Sequence, residues 1–120
     1  MKIHQSAENY LETILMLTYR NGSCRSIDIA NELGFSKPSV SVAMKNLREN
    51  GYIDVMGDGR IVLLEPGKKI AENLFERHTV LTGAFISLGV DAETASEDAC
   101  KIEHIISEET FKAIKNHFSK

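Results

Sequence analysis

The stretch SIDIANELGFSKPSVSVAMKNLRENGYIDVMGDGRIVLL, residues 26–64, decides the fold. Ile27, Ile29, Ala30 and Leu33 give a short helix one apolar side, with Ser26 as its cap and Gly34 as its stop. Ser36-Lys37-Pro38-Ser39 then reads as an N-cap with an early proline, opening a second helix through Val40, Met44 and Leu47 that Asn50-Gly51 ends. Two helices joined by a tight glycine-containing turn, the second starting with small polar residues and a lysine, describe a helix-turn-helix. Tyr52 to Met56 and Arg60 to Leu64 are β-rich runs joined by Gly57-Asp58-Gly59, where glycine permits the positive φ of a hairpin. A hairpin directly behind a recognition helix is a wing.

Working outward, Tyr10, Leu11, Ile14, Leu15 and Leu17 recur at helical spacing between Ser6, a suitable N-cap, and the stop at Asn21-Gly22. Asn9 and Glu12 stand at i and i+3 near the start of that helix and share a face. On the other side, Glu65-Pro66-Gly67 opens a long helix through Ile70, Leu74, Val80, Leu81 and Phe85 to about Leu88, with Gly89 as its stop. Two further helices are predicted, Ala92 to Ile106 and, after a cap at Ser107, Glu108 to about Phe118. In the first of these Cys100, Glu103 and His104 fall at i, i+3 and i+4, which places a thiol, a carboxylate and an imidazole on one face. That is half of a metal site, because one helix face rarely supplies four well-directed ligands. The architecture is mainly α, a winged helix-turn-helix with a short β-hairpin wing running into a helical module.

The chain has 120 residues, enough to bury a core, and no run approaching the roughly 20 apolar residues that cross a bilayer. The first residues lack the apolar segment of a signal peptide, so a cytoplasmic protein with no membrane partner is expected. Its two cysteines, Cys24 and Cys100, are expected as reduced or metal-bound thiols, with Cys24 inert. The net charge of −3 argues against indiscriminate polyanion binding, but it is uneven. Residues 36–69 carry six basic and four acidic groups, whereas residues 70–120 carry five and nine. A mildly basic centre beside an acidic tail suits a nucleic-acid reader joined to a cation-collecting element.

The blocks Ser6-Ala-Glu-Asn-Tyr-Leu-Glu-Thr-Ile, Asp28-Ile-Ala-Asn-Glu-Leu-Gly, Ser39-Val-Ser, Arg77-His78 and Ala99-Cys100-Lys-Ile-Glu103-His104-Ile-Ile-Ser107 together resemble the diphtheria toxin repressor family of metal-dependent bacterial transcriptional regulators. The likeness spans nearly the whole chain and is to the compact, manganese-transport-regulator-like form, without the SH3-like domain that longer relatives append. It implies a DNA-binding domain over residues 1–70 and a helical metal-binding and dimerisation domain over residues 71–120. Carried over by position, it implies metal ligands at Asn9, Glu12, His78, Cys100, Glu103 and His104, with bound metal tying the first helix to the helical module. Glu12 matches the manganese-type branch and Cys100 the iron-type branch, while Thr82 and Ser96 replace the ancillary Glu and His of iron-type members. Amide, carboxylate, imidazole and thiolate suit a first-row divalent ion, and thiolate softness favours Fe(II), then Mn(II) on the family's precedent, with Zn(II), Co(II) or Ni(II) able to bind in vitro. Glu8, Glu97 and Asp98 are candidate outer ligands.

For DNA, the first turns of the recognition helix offer Ser36, Lys37, Pro38, Ser39, Ser41, Val42 and Lys45, with hydroxyls and lysines for base edges or phosphates and Pro38 and Val42 for thymine methyls. Arg60 on the wing, Arg48 and Lys68 are expected on phosphates. A single module makes few phosphate contacts, so a homodimer reading two half-sites of double-stranded operator DNA is expected. Ile102, Ile105, Ile106, Phe111, Ile114 and Phe118 are the candidate interface. The function expected is that of a metal-dependent repressor of metal-homeostasis genes. The alternatives are a metal-independent winged-helix regulator with a remnant site and, more remotely, a metallohydrolase using Glu103 as general base.

Overall fold

The computed structural model describes residues 4–119, in the order α1 (Gln5–Asn21), α2 (Ser26–Leu33), α3 (Lys37–Glu49), β1 (Ile53–Val55), β2 (Ile61–Leu63), α4 (Glu65–Ser87), α5 (Ala92–Ile102) and α6 (Glu108–Phe118). They form two compact units, one running to Glu72 and the other from Asn73 onward.

In the first unit the punctuation acts largely where the residues place it. Gly22 and Gly34 end α1 and α2 in the left-handed region, at φ 84° and 70°, where a Cβ would be strained. The Ser36 hydroxyl accepts the Ser39 amide at the start of α3, with Pro38 in the first turn. Two expected caps differ. Helix α1 starts at Gln5, so Ser6 lies inside it, and α2 starts at Ser26, where the Asp28 carboxylate accepts the Arg25 amide at 2.9 Å. The carboxylate three residues on does the capping because Ser26 already has helical backbone.

The wing is a two-stranded antiparallel hairpin with Ile53 opposite Leu63 and Val55 opposite Ile61. Its Ile61 N–H donates to the Cys24 carbonyl in the loop between α1 and α2 at 2.7 Å, and Leu64 N–H donates to the Tyr52 carbonyl at 3.0 Å, closing the base of the hairpin. Leu11, Ile14, Ile29, Val40, Met44, Leu47, Ile53 and Ile61 make one continuous core beneath them. Gly67 opens α4 so close to the wing that a Cβ there would collide with the Tyr52 carbonyl oxygen.

In the second unit the buried apolar residues are Leu74, Leu81 and Ala84 of α4, Ala95 and Ala99 of α5, and Phe111 of α6. Ser107 caps α6 as expected, accepting the Thr110 amide, and Asp91, which the sequence reading did not single out, caps α5 by accepting the Thr94 amide. Two expectations are corrected here. Helix α5 stops at Ile102 rather than Ile106, so Glu103 is its C-cap and His104 lies in the turn that follows. Phe111, expected at an interface, is 1 % exposed and belongs to the core, whereas Ile105 is 76 % exposed.

Candidate metal centre and nucleic-acid interface

The second unit brings His78, Glu103 and His104 together. His78 on α4 places Nδ1 3.0 Å from Glu103 Oε1, and ligand atoms of Glu103 and His104 lie within 4.8 Å of each other. Glu103 is fully buried, and its second oxygen, Oε2, has no hydrogen-bond partner among the described residues. Ionised carboxylates at such depth are rare without a partner, because desolvation of the charge costs several kcal/mol. His78 Nε2 lies 3.4 Å from the Ser96 hydroxyl. One neutral tautomer satisfies both sides of the ring, Nδ1–H donating to Glu103 and Nε2 accepting from Ser96.

Cys100 is on the exposed side of α5. The buried side of α5 runs through Ala95, Ala99 and Glu103 at a spacing of four, while Cys100 is exposed, as are Glu97 and Asp98. Thr82 and Ser96 stand in the unit without the carboxylate or imidazole of an ancillary site, and the Thr82 hydroxyl oxygen is buried with no partner among the described residues.

The residue that sequence reasoning left unexplained is Arg77. Its Nη1 donates to the carbonyls of Glu103 and Ile106 at 3.2 and 2.8 Å, and its Nη2 donates to Glu108 Oε2 at 2.8 Å. The guanidinium also lies 5.4 Å from the centroid of the Phe111 ring. With side-chain exposures of 12 % for Arg77 and 55 % for Glu108, the carbonyl bonds dominate. Charged hydrogen bonds contribute about 1.5–3 kcal/mol each, against about 0.2–1 kcal/mol for an exposed ion pair. This cap explains how α5 ends with no glycine behind it. The visible signal was an arginine beside a candidate ligand, but its partners lie 26 to 31 residues away.

In the first unit Asn9 is half-buried and Glu12 is 6 % exposed on α1, between Leu11 and Thr13, which are also buried. Glu12 is thus a carboxylate largely removed from water. Cys24 is buried too, and burial, with the nearby Asp28 charge, pushes its thiol up to about 12, so it is a protonated core residue and a poor ligand.

The DNA-reading candidates stand on one exposed surface. Ser36, Lys37, Pro38, Ser39, Ser41, Val42 and Lys45 are all exposed at the N-terminal half of α3, while Val40, Met44 and Leu47 face the core. Ser36 also donates its hydroxyl to Ser39 at 2.8 Å, so it serves the helix as much as any base. Ser26 and Ile27 of α2 border a 260 Å³ hollow with Lys37 and Ser41 and extend this face, a neighbour relation that only the fold reveals. On the wing, Arg60 is exposed and bonds Asp58 through Nε at 2.8 Å. Asp58 is held below the usual carboxylate range, first by the Arg60 backbone N–H and then by the Arg60 and Arg25 charges. Arg25, which donates to the Asp58 carbonyl, is a second cation at the wing tip that went unpredicted.

Residues 2–60 match the iron-dependent repressor N-terminal DNA-binding domain, and residues 64–120 match the iron-dependent repressor metal-binding and dimerisation domain. The transcriptional regulator MntR of Escherichia coli O6:H1 is 35 % identical over 108 residues, covering 90 % of this chain and 70 % of that protein. The chain belongs to the iron-dependent repressor family. An uncharacterised HTH-type transcriptional regulator of Methanocaldococcus jannaschii is 32 % identical over 118 residues, covering 97 % of this chain and 94 % of that one. The structure of the manganese regulator SloR superposes with a TM-score of 0.81 at 22 % identity, over 99 % of this chain and 55 % of that one. The chain thus spans about half of that solved relative, and the likeness shows the shared winged-helix fold. Members of the iron-dependent repressor family are metal-dependent, DNA-binding transcriptional regulators with a dimerisation domain, and they are not enzymes. The hydrolase reading ends there, and the metal-independent alternative is not favoured. Among the described residues no helix is long and apolar enough to cross a membrane.

Proposed function

We propose that this chain is a homodimeric cytoplasmic repressor that binds operator DNA of metal-homeostasis genes when Fe(II), or secondarily Mn(II), is bound. The observation that carries the proposal is Glu103, a fully buried carboxylate with one oxygen toward His78 and the other without a partner among the described residues. A divalent cation supplies the missing charge and the missing partner together, which an apolar core cannot.

The ligands proposed are Asn9 and Glu12 of α1, with His78, Cys100, Glu103 and His104 from the helical unit. Oxygen and imidazole donors accept either ion, and the thiolate of Cys100 tilts the set toward the softer Fe(II). For DNA, we assign base-edge contacts to Ser39, Ser41, Val42 and Lys45 and phosphate contacts to Lys37 and Arg60, with Ser36 and Pro38 fixing the start of the helix. The regulation is linkage, since a cation that binds the DNA-competent form more tightly raises DNA affinity by the same factor.

Anaerobic calorimetry with Fe(II), Mn(II) and Zn(II) tests the site. Wild type should give a specific heat that Glu103→Gln abolishes. Equal heats in the two proteins would remove Glu103 from the ligand set.

A further inference from the structure

We infer that Arg77 is a positioning residue for metal binding: it holds the turn carrying Glu103 and His104 in its ligating shape before any cation arrives. The inference rests on the proposed ligation by those two residues. The turn's own backbone contributes two bonds, from the Ile105 and Ile106 amides to the Ile102 carbonyl at 3.0 and 2.9 Å. Both lie on the α5 side, and neither reaches α4. The Arg77 fork fixes the carbonyls at either end of the turn, those of Glu103 and Ile106, and its neighbour in sequence is His78. One rigid guanidinium therefore sets the separation between the imidazole on α4 and the carboxylate at the end of α5.

Two features separate this role from simple packing. Arg77 Nε is buried without a hydrogen-bond partner among the described residues, so the side chain keeps a desolvated donor that an apolar residue over Phe111 would not have. A fixed positive charge beside a cation site also opposes metal by Coulomb repulsion. Charge alone predicts that removing Arg77 tightens metal binding. Positioning predicts that it weakens it, and Lys, which keeps the charge but not the fork, distinguishes the two.

The test measures Mn(II) affinity of the full chain by anaerobic calorimetry for wild type, Arg77→Lys, Arg77→Met, Glu108→Gln and, as a packing control, Leu74→Val. Amide exchange of Ile105 and Ile106 is followed in the same proteins without metal. Both Arg77 variants should bind Mn(II) roughly 10- to 100-fold more weakly, the effect typical of losing the support of a ligand. Glu108→Gln should change affinity less than about fivefold, the ceiling for an exposed ion pair. Leu74→Val should lower thermal stability with affinity intact. Exchange of the two turn amides should accelerate in the Arg77 variants alone. Wild-type affinity in Arg77→Lys, tighter binding in Arg77→Met, or unaltered exchange would overturn the inference. If the methionine variant does not fold, the lysine variant decides alone. Equal Mn(II) heats in wild type and Glu103→Gln would show instead that the metal site itself is wrong.

Discussion

The start of α3, which we propose reads DNA, and the end of α5, which we propose binds metal, are built in opposite ways. Ser36 caps α3 from one residue outside it, so that end is complete within four residues. Glu103 and Ile106 at the far end of α5 are capped by a guanidinium from another helix, and the carboxylate they frame keeps an unpartnered oxygen. The first end is finished by its own sequence. The second is held by a remote side chain and left short of one partner, the condition in which a ligand adds the most.

That contrast can be broken at several points. The largest effect is expected at Glu103→Gln, which should lower metal affinity at least roughly 100-fold while leaving the melting temperature of the metal-free chain unchanged or higher. Replacing a buried, half-satisfied charge removes a desolvation cost, so a sharp fall in metal-free stability would show that the carboxylate serves folding instead. Next comes Gly67→Ala in the first unit, which must push against the Tyr52 carbonyl and should cost about 1–3 kcal/mol in chemical denaturation, with metal affinity unchanged below the transition. The smallest effects belong to the local caps. Ser36→Ala and Ser107→Ala should each cost about 1 kcal/mol, and only Ser36→Ala should also weaken DNA binding.

Most of the fold was legible because its signals are local. Gly22, Gly34, Asn50-Gly51 and Ser107 act within a few residues of where they stand, and the wing follows from two β-rich runs around Gly57-Asp58-Gly59. The extent of α5 was not legible, since its end is set by Arg77 across 26 residues of sequence and no periodicity encodes that contact. The same limit applies to the ligands. Spacing puts Cys100, Glu103 and His104 on one face of a continuous helix, but α5 stops at Ile102, and Cys100 lies outside the buried line of Ala95, Ala99 and Glu103. The exposed face of α3 was readable because Val40, Met44 and Leu47 fix the opposite side as core. The pairing of Arg60 with Asp58 was not, because a two-residue step in a turn does not dictate a side-chain contact.

The central claim is that occupancy of the Glu103 site controls DNA reading, and fluorescence anisotropy tests it most directly. A duplex selected from a random-sequence pool by the Mn(II)-loaded chain is titrated with protein in chelator, then in Mn(II), then anaerobically in Fe(II). Affinity should rise at least roughly tenfold with either metal, within the usual range of coupling between two sites, and should not rise for Glu103→Gln. Equal affinity with and without metal would contradict it.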